Sequence, residues 1–151
     1  GIVVKGLHDL AVRFSRCCNP VPGDEIVGFV TRGRGVSIHR TDCINVINLP
    51  EDERGRLIDA EWQVAENSTS TEQYSTEIQI FANNRIGLFA DISKVFTEKQ
   101  IDITSMNVRT SKQGRATIIM TFDIHGTEEL NRITDKIRQI DGVLDIQRTT
   151  G

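Results

Sequence analysis

Long apolar runs are missing from this chain of 151 residues. No stretch approaches the roughly 18 apolar residues that a membrane span needs, and no charged-then-apolar leader opens the sequence. No membrane partner is therefore expected. Cysteine is scarce and odd in number, three in all. That fits poorly with the closed disulfide framework of a small secreted domain and favours a reducing cytoplasm. Position 1 is Gly rather than Met, and it opens an apolar stretch, so the sequence reads as a piece of a longer protein. Also missing are a catalytic acid/base pair, a nucleophile constellation and a phosphate-binding loop. Asp9, Asp24 and Asp42 have no catalytic company, and the piece is expected to perform no catalysis itself.

What is present is the composition of an ordinary globular protein, 38% hydrophobic and 26% charged. The net charge of −3 is spread unevenly. Residues 1–49 carry six basic against four acidic side chains, residues 50–72 two against seven, and residues 73–151 ten against ten. A weakly basic head, an acidic joint and a balanced tail indicate two units with different surfaces. "ENSTSTEQ", residues 66–73, is polar and Ser/Thr-rich and reads as a linker between a domain at 1–65 and a second at 74–151.

In the head, "IVGFV" (26–30) and "GVSIH" (35–39) read as strands joined by "TRGRG". Thr41 or Asp42 is placed to cap a brief helix from Cys43 toward Ile47, and "LIDAEW" alternates as a short strand. Few large apolar residues are available, and so thin a core usually needs a staple. The tail is cleaner. Strand patterns at 74–82, 101–110 and 115–125 and the final "VLDIQRT" alternate with helical patterns at 87–100 and 127–140. Their order is βαββαβ, the ferredoxin-like plan, so the fold class is α+β throughout.

All three cysteines fall within residues 17–43, as does a single histidine: Cys17-Cys18, twenty residues, then His39-x3-Cys43. At i and i+4, His39 and Cys43 face the same way if a helix begins near them. Three thiolates and an imidazole are a familiar tetrahedral set for structural Zn²⁺. Against this, cysteine is often simply buried as a small hydrophobe, and adjacent ligands are unusual. On spacing alone both readings stand. A disulfide between neighbours is disfavoured by geometry.

The stretch "GLHDLAVRFSRCCNPVPGDEIVGFVTRGRGVSIHRTDC", with its CCxPxPGD and GRGxxxHRxDC motifs, resembles the conserved-cysteine, zinc-finger-like domain of long RelA/SpoT-type (p)ppGpp synthetase/hydrolases. The resemblance covers most of residues 2–62. It implies zinc held by Cys17, Cys18, His39 and Cys43, and a domain that packs against ribosomal RNA, with Arg32, Arg34 and Arg40 as phosphate contacts. It also implies a parent that is a GTP pyrophosphokinase of the stringent response, whose distant catalytic domains this piece controls.

"FANNRIGLFADISKVFTEKQIDITSMNVRT" resembles an ACT domain, a sensing module of many amino-acid enzymes. Where the family loop resembles D-R-P-G-L-L, this chain has Asn84-Arg85-Ile86-Gly87-Leu88-Phe89. The resemblance implies a homodimer with a branched-chain amino acid at its interface. The loop residues Asn83, Asn84, Ile86, Gly87 and Leu88 of one copy would then face Ser105, Met106 and Asn107 of another. Ile86, Leu88 and Met106 would make the pocket apolar, and the N–H groups at the helix start would receive a carboxylate. RNA-binding folds of the same strand order stack bases on aromatics of the two central strands. Here the candidate strands offer Arg109, Thr117 and Thr121, with Phe122 in the core row, so that use is not expected.

Overall fold

The computed structural model describes residues 2–4, 11–33, 35–63 and 72–151. Arg34 and most of the expected linker lie outside the described residues. The chain forms two compact units, one of Gly1–Glu72 with Thr150–Gly151 and one of Gln73–Thr149.

The first unit is built on a five-stranded sheet of order β1-β5-β3-β4-β2. Its strands are β1 Ile2–Val4, β2 Val12–Phe14, β3 Ile26–Thr31, β4 Gly35–Arg40 and β5 Leu57–Trp62. The expected hairpin is antiparallel from Ile26↔Arg40 to Thr31↔Gly35. β5 joins β3 antiparallel, and β2 pairs parallel with β4. The two outermost strands span three residues each. That is too short to carry a periodic signal, and neither was read from the sequence.

Side chains alternate between faces along a strand, so the hairpin has two different sides. Gly28↔Ile38 is one register pair and Val27↔His39 the next, which puts His39 on the face opposite Ile38. On the Ile38 face Val4, Val36, Ile38 and Ala60 are buried, with Ile2, Ile26, Val30 and Ile58 packed against them. Gly28 makes this packing possible. A Cβ there would meet Val36 Cγ1 at 2.7 Å and Ile58 Cγ2 at 2.8 Å. Val27 belongs to a second cluster, in which it packs with Cys17 and Leu57 against buried Cys18, Cys43 and Val46.

The short helix α1 spans Ile44–Ile47, and its N-cap residue is Cys43. The expectation of Thr41 or Asp42 at that place is corrected, because no side chain caps α1 and Asp42 pairs instead with Arg40 at 2.6 Å. A 3-10 helix, Glu51–Arg56, follows Pro50 and delivers the chain to β5.

The second unit runs β6 Tyr74–Asn83, α2 Leu88–Glu98, β7 Ile103–Thr110, β8 Arg115–Ile124, α3 Thr127–Arg138 and β9 Val143–Arg148. Its sheet order is β7-β8-β6-β9, antiparallel throughout. This is the βαββαβ plan read from the alternating patterns. Ile78, Ile80 and Ala82 of β6 are buried beside Met120, Ile118 and Ala116, their register partners on β8. Leu88, Ile92, Val95 and Phe96 of α2 and Leu130, Ile133 and Ile137 of α3 are buried as well. Phe96 meets Phe122 edge-on, with ring centroids 4.8 Å apart.

Replacing Gly28→Ala forces Val36 and Ile58 apart. The expected cost is about 1–3 kcal/mol, typical of overpacking a filled core. Denaturant unfolding followed at Trp62, which lies in this unit, would show it. An unchanged midpoint would mean that the two side chains give way freely.

Candidate metal centre

Four side chains that are distant in sequence meet at one point in the first unit. Cys17 and Cys18 come from the loop after β2, His39 from β4, and Cys43 from the start of α1. Their donor atoms all lie within 4.8 Å of one another. His39 and Cys43 do not share a helix face, as the i, i+4 spacing had suggested. They meet because the turn after β4 folds back, with the Cys43 N–H donating to the Arg40 carbonyl at 3.1 Å.

The spacing can be tested against a tetrahedral ion. Bonds of about 2.3 Å to sulfur and about 2.0–2.1 Å to nitrogen set sulfurs about 3.8 Å apart and sulfur about 3.6 Å from nitrogen. Cys17 Sγ lies 4.0 Å from Cys18 Sγ and 3.5 Å from Cys43 Sγ. His39 Nδ1 lies 3.4 Å from Cys17 Sγ and 3.9 Å from Cys18 Sγ. The donor set therefore fits one metal ion.

The surrounding groups suit this role. His39 Nε2 is 2.9 Å from Ser15 Oγ. In the tautomer with its proton on Nε2, that nitrogen donates to the hydroxyl, and Nδ1 offers its lone pair to the centre. The Arg40 N–H donates to Cys18 Sγ at 3.3 Å, and the Asn45 N–H donates to the Cys43 sulfur. Such donors favour thiolates. Burial opposes them: together with the smaller effects of Cys43 and Cys17, and against the Arg40 N–H, it pushes the Cys18 thiol from 9.0 up to about 12. Burial also pushes Cys43 up and His39 down. Cys18 and Cys43 are therefore disfavoured as bare thiolates, and the imidazole is kept neutral, the form that binds a cation.

Arg40 is 6% exposed, so the expectation that it reaches RNA phosphates is corrected. Its guanidinium donates to the Cys18 carbonyl at 3.2 Å and pairs with Asp42. It thus braces the cysteine loop from within. Arg32 stands exposed at the turn after β3, and Arg34 lies outside the described residues. Sequence reading missed Ser15 and the bracing by Arg40. Asp24 was also missed, although the Pro-Gly-Asp run marks a turn: its carboxylate accepts the Val21 N–H at 2.8 Å, and its carbonyl accepts from Trp62 Nε1 at 3.0 Å.

The second candidate site is less concentrated. Gly87 takes a φ of 84° at the start of α2, which a side chain would strain. Arg85 ties the loop down, donating to the Asp141 carbonyl at 2.8 Å and pairing with Asp91 at 2.8 Å. Ile86 is wholly exposed, whereas Leu88 is fully buried and belongs to its own core rather than to a pocket lining. The Leu88 N–H already donates to the Arg85 carbonyl at 3.3 Å. Within one copy, the two halves of the expected site are apart. Asn83 pairs with Arg115 on β8, whereas Ser105 pairs six residues along that strand with Thr121.

Residues 2–63 match the RelA/SpoT RIS domain family, and residues 70–148 match the ACT domain family. The chain belongs to the RelA/SpoT family, as an RIS domain followed by an ACT domain. Similar curated proteins include a GTP pyrophosphokinase of Streptomyces coelicolor, 39% identical over 99% of this chain and 17% of the relative. The GTP pyrophosphokinase of Escherichia coli K12 is 37% identical over 99% of this chain and 20% of its own length. The bifunctional (p)ppGpp synthase/hydrolase RelA of Mycobacterium tuberculosis is 35% identical, with the same coverage. The chain thus spans about a fifth of the length of these relatives. Among solved structures, the ACT domain from a GTP pyrophosphokinase of Chlorobium tepidum aligns with a TM-score of 0.46 at 22% identity, covering 51% of this chain and 99% of that one.

The upward shift of Cys18 has a consequence for the RIS domain without metal. A thiol whose folded pKa lies above its unfolded value adds stability below the unfolded value, and loses it as pH rises through the folded one. The urea midpoint of the metal-free chain should therefore fall between pH 9.0 and about 12. Cys18→Ala should flatten that fall, and an equally steep fall in the variant would assign it to other groups.

Proposed function

We propose that the RIS domain is a zinc-stapled docking module and that the whole piece is a non-catalytic regulator within a (p)ppGpp synthetase/hydrolase. The observation that carries this reading is the convergence of Cys17, Cys18, His39 and Cys43, whose donor atoms all lie within 4.8 Å of one another. Bound zinc supplies four directional bonds and a charge that offsets buried thiolates. Structural zinc contributes on the order of 10 kcal/mol of folding free energy in small units. The four donors would then fasten the cysteine loop, the hairpin and α1 to one another.

The partner in this reading is ribosomal RNA, met in the cytoplasm. The exposed Arg32 and its sequence neighbour Arg34 supply guanidinium groups for phosphates. Three thiolates around a divalent ion leave one negative charge, and residues 1–49 carry only two more basic than acidic side chains. The contact is accordingly one part of a larger interface, and its consequence is relayed to the parent's distant synthetase and hydrolase domains. Metal analysis of the purified chain should find one equivalent of zinc, and Ser15→Ala should weaken its affinity about 10–100-fold. In the parent, Cys17→Ser and Cys18→Ser should abolish activation by ribosomes while leaving basal synthesis. Full activation in both variants would end the docking role.

A second reading concerns the ACT domain, and the wholly exposed Ile86 beside Gly87 favours it. There the loop Asn83, Asn84, Ile86 and Gly87 of one copy would meet Ser105, Met106 and Asn107 of another around a branched-chain amino acid. The separation of the two halves within one copy accords with a site shared across a homodimer. Calorimetry with valine, leucine and isoleucine should give heat that Gly87→Val removes. Absence of heat with the intact loop would count against sensing.

A further inference from the structure

The cysteines of the RIS domain differ in access and in pairing. Cys18 is 1% exposed and Cys43 is fully buried, whereas Cys17 is only partly buried. Cys17 is therefore the thiol that a small oxidant reaches first. Its nearest sulfur is that of Cys43, at 3.5 Å, while Cys18 Sγ lies at 4.0 Å. Cys18 is also its chain neighbour, and a disulfide between neighbours departs from the favoured geometry. A sulfur oxidised at Cys17 thus has one well-placed partner.

We propose that Cys17 is a peroxide-oxidation site, resolved by Cys43 into a Cys17–Cys43 disulfide that dismantles the metal centre while keeping the fold tied. The proposal rests on the reading of the four donors as a metal clasp. In the first step the Cys17 thiolate sulfur attacks a peroxide oxygen. The O–O bond breaks, hydroxide leaves, and Cys17 becomes a sulfenic acid, oxidised by two electrons. In the second step the Cys43 sulfur, as thiolate, attacks the Cys17 sulfur, so that the S–S bond forms and the S–O bond breaks. Hydroxide leaves again, and each hydroxide takes up a proton released from a thiol. The sum is two thiols and one hydrogen peroxide giving one disulfide and two waters.

Two donors, Cys18 and His39, then remain for the ion, too few for a closed structural site. The new bond joins two of the three pieces of chain that the clasp joins, the loop after β2 and the start of α1, and β4 stays tied to that loop through the Arg40 N–H and guanidinium. Cys18 and Cys43 are packed with Val46, Val27 and Leu57 in one apolar cluster, and oxidation removes neither from it. The oxidised domain therefore exchanges one staple for another instead of unfolding. The exchange is reversible by a thiol reductant, since both sulfurs are recovered as thiols.

The test uses the full chain as purified. Its zinc content is measured first and scores the clasp reading independently. Hydrogen peroxide is then titrated in, with intact mass, non-reducing peptide mapping and a chromophoric zinc chelator as readouts. The expected result is loss of two hydrogens, a peptide joining Cys17 to Cys43, zinc released in proportion to that link, and recovery of both on adding dithiothreitol and zinc. Cys18→Ser should still form the link, and Cys17→Ser should not. A Cys17–Cys18 link, a disulfide between chains, or sulfinic acid on Cys17 without a disulfide would overturn the proposal, even with zinc bound at the start. A Cys17–Cys43 link in a chain that never held zinc would sink the clasp reading and leave the oxidation site standing.

Discussion

The RIS domain depends on holding three sulfurs and one imidazole nitrogen within 4.8 Å of each other. It brings the loop after β2, the end of β4 and the start of α1 to one point. Among the described residues, the aliphatic cluster on the far face of the hairpin buries Val4, Val36, Ile38 and Ala60. A core of that size stabilises weakly against the conformational entropy of its strands and turns. The cysteine loop, held to β4 by the Arg40 N–H and guanidinium, is stationed where its donors complete the set. Burial that raises two of the thiols is the cost of this placement, and a cation held in the centre would offset it.

The ACT domain meets the same entropy with packing. Two helices cover one face of a four-stranded sheet, and Ile78, Ile80, Ile118, Met120 and Phe122 of the sheet are fully buried with Phe96 of α2. Its irregular loop at 84–87 is held by ordinary means, with Arg85 bonded to the Asp141 carbonyl and to Asp91. The two domains thus solve stability differently: one relies on donor convergence, the other on apolar area. All three cysteines lie in the first.

The patterns that could be read directly were those with a local physical cause. Alternation at Ile78, Ile80 and Ala82 and the helical recurrence of Leu88, Ile92, Val95 and Phe96 describe one face of one element. Those faces are the buried ones. The four donors were legible because cysteine and histidine are few and lie close together in the sequence. Arg40 was misjudged because a basic residue at the end of a short strand looks solvated, and only the fold turns it inward. Leu88 was misjudged similarly, since a loop motif says nothing about which of its side chains enters the core. Ser15 and the outer strands of the RIS sheet left almost no mark, being a lone hydroxyl and two three-residue segments.

By itself the sequence determined the βαββαβ order, the hairpin of the head and the identity of the four donors, because period, turn residues and residue chemistry act over a few positions. The tertiary structure decided what those donors do. The register that sets Val27 opposite His39, the turn that returns Cys43 toward β4, and the bonds of Arg40 to Cys18 bring the donors within 4.8 Å of one another. The same packing leaves Cys17 partly open while closing over Cys18 and Cys43. Distances and access of this kind arise from contacts between segments more than twenty residues apart. No local pattern encodes them.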